Sequence, residues 1–214
     1  GKFSSLILHD IKNPLSILRG YAEILHLYPK DGDKVKKYSE KIMTEADRIN
    51  NLASELLDFS RGDIRLNVGV VNIEEFIDVF IKTITPKFNA QKVKAKVNLE
   101  YKGSVLMDKE RMLRVFANLA NNSLKAMTDG GEFSITVSQK ESYLYFEVCD
   151  TGEGMNEEVL KKIFEPFFSF SKSGGTGLGM SIVKSIIDAH KGVLSVQSKE
   201  FEGTTFTIAI PIQD

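Results

Sequence analysis

Asp129-Gly130-Gly131-Glu132-Phe133-Ser134-Ile135-Thr136-Val137-Ser138-Gln139 decides how the chain is read. A glycine turn opens it, and apolar–polar alternation follows, the pattern of a strand with one buried face. Near Lys140-Glu141-Ser142 the chain reverses into a second alternating run, Tyr143–Cys149, so the two form a hairpin. Directly before this pair lies a strongly periodic helix, Asp108–Met127. Further toward the N-terminus, Asn67–Asn72, Val93–Tyr101 and Ser104–Met107 read as strands and Ile73–Phe88 as a helix. In the other direction, Leu178–His190 reads as a helix, and Val193–Ser198 with Thr204–Pro211 as a closing hairpin. Strands and helices interleave without a regular strand–helix–strand repeat. That predicts an α+β layer, a mixed sheet with helices on one face. The stretch from Thr151 to Gly177 is loop-rich, with a short helical piece near Glu157–Ile163, and suits a lid or binding loop.

The N-terminal third has another texture. Phe3, Leu6, Ile7, Ile11, Leu15, Leu18, Ala22 and Leu25 recur at helical spacing, and Val35, Tyr38, Ile42, Ala46, Ile49, Leu52, Ala53, Leu56 and Leu57 do so again. Pro29-Lys30-Asp31-Gly32-Asp33 breaks the two patterns, with Asp33 placed to cap the second helix. Two amphipathic helices with a short connection make an antiparallel hairpin whose apolar stripe wants more cover. A second copy of the chain, giving a four-helix bundle, supplies it economically. Packing on the rest of its own chain is the plainer alternative. The expected organisation is therefore a helical hairpin over about residues 1–62 and an α/β-sandwich domain over about residues 67–214.

Composition narrows the function. An apolar fraction of 42% supports an ordinary core. A net charge of -1 gives no reason to expect nucleic acid or an anionic membrane as partner. The single cysteine, Cys149, forms no internal disulfide, and no apolar run reaches the roughly 18 residues of a membrane span. No signal peptide is visible. A chain that starts inside a helical pattern reads as a piece of a longer protein, expected here in the cytoplasm and without membrane contact of its own, whatever anchors the parent.

Four stretches and an aromatic cluster carry the chemistry. In His9-Asp10-Ile11-Lys12-Asn13-Pro14 a histidine has a carboxylate beside it. Asp10 is suited to hold the Nδ1 proton and leave Nε2 nucleophilic, and Pro14 bends the helix one turn on. On the periodic helix, Asn118 and Asn122 share a face, with Lys125 near, while Asn121 points elsewhere. Amide oxygens are neutral hard ligands suited to Mg²⁺, and a lysine balances phosphate charge. Asp150-Thr151-Gly152-Glu153-Gly154 follows a strand directly. Its carboxylate suits an exocyclic amine, and its glycines permit close backbone approach to a ligand. Gly174-Gly175-Thr176-Gly177-Leu178-Gly179 runs into a helix, an arrangement suited to phosphate, although its spacing is neither the dinucleotide nor the P-loop pattern. Between these lies Phe164-Glu165-Pro166-Phe167-Phe168, an aromatic cluster that must pack on something, the lid or the helical hairpin. Each stretch alone has a plainer reading as a solvated helix face, an ordinary turn or a hinge.

Their order resembles the H, N, G1, F and G2 boxes of two-component sensor histidine kinases. The resemblance implies a dimerisation and phosphotransfer hairpin followed by a Bergerat-type ATP-binding domain. It implies His9 as phosphoacceptor with Asp10 as its base, and Asn13 as the residue that orients water for dephosphorylating the regulator. It further implies Asn122 as ligand of Mg²⁺ with Asn118 beside it, Lys125 on phosphate, and Asp150 with Gly152 and Gly154 at the adenine. Gly175, Thr176, Gly177, Leu178 and Gly179 would form the ATP lid, and Thr204 or Thr205 would support the adenine site. ATP and Mg²⁺ are the implied cofactors, and a second copy of the chain and the receiver domain of a response regulator the implied partners. Ser123 stands where the family commonly has alanine, a small-for-small change expected to matter little. Two rival functions stay open: a Bergerat-fold ATPase or serine kinase without histidine chemistry, and a nucleotide-gated module that chiefly dephosphorylates or sequesters a regulator.

Overall fold

The structure, a computed structural model, describes residues 2–61, 64–169 and 177–212, with the side chains of residues 2–10, 51, 55 and 58–61 left undescribed. The chain divides into two compact units, residues 1–62 and 63–214.

The first unit is a helical hairpin of α1 (Lys2–Leu27) and α2 (Gly32–Arg61). Pro14 lies inside α1. Asp31, rather than the expected Asp33, caps α2. Its Oδ1 accepts the Lys34 N–H at 3.1 Å and its carbonyl accepts the Val35 N–H at 2.8 Å. The reason is position. Asp33 already lies in the first helical turn, where its charge suits the helix dipole but its side chain no longer faces the orphan amides. Tyr21 and Tyr38 meet across the hairpin with ring centroids 5.5 Å apart. Among the described hairpin side chains, Pro14 and Leu52 are buried, while Ile42, Ala46, Ile49 and Leu56 stay half-exposed.

The second unit runs β1 (Gly69–Asn72), α3 (Ile73–Ala90), β2 (Val93–Leu99), β3 (Ser104–Met107), α4 (Lys109–Ala126), β4 (Gly131–Lys140), β5 (Tyr143–Asp150), α5 (Glu157–Lys162), α6 (Gly179–Ala189), β6 (Val193–Lys199) and β7 (Gly203–Pro211). β1 and β3 form a small antiparallel pair, and the main sheet has the order β2-β4-β5-β7-β6. β2 lies parallel to β4 and the other pairs are antiparallel, which makes the sheet mixed as expected. Alternation along β4, β5 and β7 puts Phe133, Ile135, Val137, Phe146, Val148, Phe206 and Ile208 on the face covered by α3, α4 and α6. Phe116 of α4 sits at the centre. Its ring meets those of Phe76, Phe80 and Phe146 edge-on at centroid distances of 5.4, 5.3 and 5.2 Å.

A polar lock joins α4 and α6 beneath this core. The buried His190 ring, at the C-terminal end of α6, accepts the Asp108 N–H at Nε2, 3.0 Å away, and its Nδ1 lies 2.8 Å from the Ile186 carbonyl. A neutral imidazole with its proton on Nδ1 satisfies both partners. Asp108 in turn caps α4 through Arg111 N–H at 3.0 Å and accepts the Asn67 N–H at 2.7 Å. Asp108, whose N–H is held by His190, thus caps α4 and seats the segment entering β1.

Candidate active site

β5 ends at Asp150, and the chain then turns against the C-terminal end of α4. Asp150 is 8% exposed. Its Oδ1 accepts the Gly152 N–H at 3.0 Å and its Oδ2 accepts the Ser123 hydroxyl at 2.7 Å. Each carboxylate oxygen keeps a further lone pair for a donor from outside. Ser123 therefore does more than fill space: it adds a buried hydrogen bond to this carboxylate that alanine lacks.

The loop after Asp150 is clamped on both sides. A Cβ at Gly152 would lie 2.6 Å from the Ala126 Cβ, and the Glu153 N–H donates to the Ala126 carbonyl at 3.0 Å. Gly154 adopts φ +64, and a side chain there would run into the Lys199 carbonyl. From the β6–β7 turn, the Phe201 N–H donates to the Glu153 carbonyl at 2.7 Å, and Ser198 accepts the Met155 N–H at 2.9 Å. The close approaches that require glycine here are to the protein's own atoms, the Ala126 Cβ and the Lys199 carbonyl.

α4 carries the asparagines. Asn118 and Asn122 are half-buried, and Lys125 and Asn121 are exposed. Asn118 donates through Nδ2 to the Arg114 carbonyl at 3.0 Å, and its Oδ1 lies near the start of α6. A Cβ at Gly179, the first residue of α6, would lie 3.0 Å from that Oδ1. Among the described residues no side chain hydrogen-bonds Asn122. Amide oxygens of this kind fit a hard cation that keeps waters and phosphate oxygens in its shell.

α6 begins beside them. Leu178 at its N-cap is fully buried, and among the described residues no side chain caps the first turn. Its amides suit an anion. Gly177, at φ +65, would press a side chain into the backbone of Phe167 and Phe168, and the Phe167 N–H donates to its carbonyl at 3.0 Å. The backbone of Phe167 and Phe168 thus lies against Gly177, while both residues stay half-exposed. Gly175 and Thr176 lie outside the described residues. So do the side chains of His9 and Asp10, whose backbone belongs to α1. Asn13 is exposed on that helix.

Thr204 pairs with Asp150 in the β5–β7 register and is 6% exposed, on the same face of the sheet. Thr205 points to the other face, where its hydroxyl donates to the Cys149 Sγ at 3.3 Å. Of the two threonines, only Thr204 shares the face of Asp150. Ser198 escaped sequence reading altogether, since no local pattern marks a serine whose partners lie in two other loops.

Comparison with known proteins places the chain in a family. A family model of histidine kinase-, DNA gyrase B- and HSP90-like ATPases matches residues 107–214, and one of the His Kinase A (phospho-acceptor) domain matches residues 1–64. Sensor histidine kinase ZraS of Escherichia coli is 29% identical over 213 residues, covering 99% of this chain and 45% of the relative. Sporulation kinase A of Bacillus subtilis is 30% identical over 213 residues, covering 99% of this chain and 34% of its own length. The solved structure of histidine kinase ThkA in complex with response regulator protein TrrA matches with a TM-score of 0.76 and 26% identity, covering 100% of this chain and 62% of that one. The chain thus spans less than half the length of these two curated relatives. It belongs to the histidine kinase-, DNA gyrase B- and HSP90-like ATPase family. With a phospho-acceptor domain ahead of the ATPase domain, it is the catalytic core of a two-component histidine kinase. Among the described residues no helix is long and apolar enough to cross a membrane.

Proposed function

We propose that this core phosphorylates itself on His9 from ATP and passes the phosphoryl group to an aspartate of a response regulator. The observation that carries the reading is the buried Asp150 carboxylate. It is held by Ser123 and Gly152 with lone pairs to spare, in the same unit as the half-buried amide of Asn122 and the start of α6. In this reading Asp150 accepts the exocyclic amine of adenine, with Gly152, Gly154 and Thr204 shaping that end. The loop of Gly175, Thr176, Gly177, Leu178 and Gly179, together with the first turn of α6, receives the phosphates, and Lys125 offsets their charge. Asn122 and Asn118 would hold Mg²⁺, whose charge, when bound, offsets that of the phosphates.

His9 is the nucleophile. Its Nε2 forms a bond to the γ-phosphorus while the bond to the β,γ-bridging oxygen breaks, and ADP leaves with that electron pair. Asp10 holds the Nδ1 proton and so keeps Nε2 nucleophilic. The second step breaks the N–P bond and forms an acyl phosphate on the regulator. Residues 1–62 act as the dimerisation and phosphotransfer domain, with the half-exposed stripe of α2 as the face that meets a second copy, and residues 67–214 bind ATP. Asn13, exposed one turn after His9, orients water for hydrolysing the phosphorylated regulator.

Incubation with radiolabelled ATP and Mg²⁺ tests the kinase reading. The expected label is acid-labile, base-stable and absent from His9→Gln. Nucleotide binding without label on His9 would leave an ATPase without histidine chemistry. For Asn13→Ala, loss of regulator dephosphorylation with autophosphorylation retained is expected; undiminished dephosphorylation would sink that role.

A further inference from the structure

The adenine end of the site has a hydrogen-bond polarity, and one serine outside it fixes that polarity. Ser198, near the end of β6, has a single hydroxyl proton and three close partners. Its Oγ lies 2.9 Å from the Gly203 carbonyl, 2.9 Å from the Met155 N–H and 2.9 Å from the Thr204 Oγ1. A carbonyl only accepts and an amide only donates. The Ser198 proton therefore goes to Gly203, and Ser198 accepts from Met155. The remaining contact is satisfied only if the Thr204 hydroxyl donates to Ser198. With its proton spent, Thr204 offers a ligand nothing but lone pairs.

Its neighbour across the strand pair is Asp150, whose two oxygens already accept from Ser123 and Gly152 and likewise offer only lone pairs. Two acceptors on one face, with no side-chain donor between them among the described residues, suit a group that brings N–H bonds. They penalise a carbonyl oxygen in the same place, since neither hydroxyl is free to turn toward it.

We infer that Ser198 is a positioning residue that sets base selectivity. By holding the Thr204 hydroxyl as an acceptor, it tunes the site to 6-aminopurine nucleotides and against 6-oxopurine nucleotides. The inference rests on the proposal that Asp150 marks the base end of a nucleotide site. Ser198 touches no ligand itself and acts through Thr204, while its bond to Met155 keeps the clamped loop in register.

The test titrates the whole chain with ADP and with inosine diphosphate by calorimetry. Wild type is expected to prefer ADP. Ser198→Ala frees the Thr204 hydroxyl to rotate and donate, so the ADP-to-inosine-diphosphate affinity ratio should fall by about tenfold, the scale of one net hydrogen bond. Ser198→Thr, which keeps a hydroxyl at the same place, should restore the ratio. A serine that merely braces the loop predicts equal weakening of both nucleotides, and an unchanged ratio in Ser198→Ala overturns the inference. If that variant fails to fold, Thr204→Val answers the same question. It deletes the acceptor and should lower the ratio similarly, and an unchanged ratio again overturns the inference. Asp150→Asn separates the two layers. Undiminished ADP binding in that variant would remove the base site itself, whereas its loss alongside an unchanged ratio in Ser198→Ala would remove only the role of Ser198.

Discussion

α2 and α4 carry similar apolar stripes and meet different fates. On α4, Met112, Val115, Phe116 and Leu119 vanish into a core shared with α3, α6 and the sheet. On α2, Ile42, Ala46, Ile49 and Leu56 remain half-exposed after the hairpin has formed. Helical periodicity announces that a face will be covered and leaves open by what. In the ATPase unit the covering elements lie within the same unit. The hairpin alone does not supply enough, which is why a second copy belongs to the proposed function.

The sharpest way to break this contrast is a matched pair of truncations. Phe116→Ala should cost about 3–5 kcal/mol, as for a fully buried aromatic ring, with no dependence on protein concentration. Ile49→Ala should cost less, with its effect growing on dilution as the proposed dimer weakens. Denaturant unfolding across a concentration series measures both. Equal costs at every concentration would erase the distinction between the two regions.

Next in size is His190→Ala. It orphans the Asp108 N–H and frees the start of α4, at roughly 1–3 kcal/mol. Thermal unfolding of the ATPase unit should report the loss, while the transition of the hairpin stays put. Ser123→Ala is smaller. Removing the donor to the Asp150 Oδ2 should weaken ADP binding by roughly tenfold or less with little change in stability, as read by calorimetry. Full retention of affinity would return Ser123 to the small-for-small change first expected.

Asp31→Asn comes last, and it probes the hairpin alone. The Lys34 backbone N–H, followed by the Lys34 side chain, holds the Asp31 carboxyl below its ordinary value of 3.8. A depressed folded-state value means that the charge adds stability above the ordinary range and loses it as pH falls through the folded-state value. The wild-type hairpin should therefore lose a small increment of thermal midpoint on acidification that Asp31→Asn does not lose. Parallel curves for the two proteins would show that the cap works without its charge.

Most elements were legible because their signals are local. The alternation of β4 and β5, and the period of α4, depend on neighbours in sequence. The cap at Asp31 was misplaced by two residues because Asp33 offers the same chemistry, and only the start of the helix distinguishes them. Asp150, Asn118 and Asn122 stood out because a carboxylate after a strand and amides on one helix face are compact patterns. Ser123 was visible, but its bond to Asp150 was not, since that partner lies on a different element. Thr204 could not be told from Thr205 until the β5–β7 register put one on each face of the sheet. Ser198 had no local mark, because its hydroxyl gains meaning only when β6, β7 and the loop after Asp150 come together.

The strand order β4-β5-β7-β6 bears on how the molecule is made. The hairpin closes contacts between near neighbours and is free to form while later residues are still being synthesised. β5 has a different schedule. Its second edge waits for β7, and Asp150 lacks its cross-strand neighbour until Thr204 has left the ribosome. If Asp150 and Thr204 form the proposed base site, that site is completed only after the residues of the hairpin have been made, and a growing chain would meet nucleotide late.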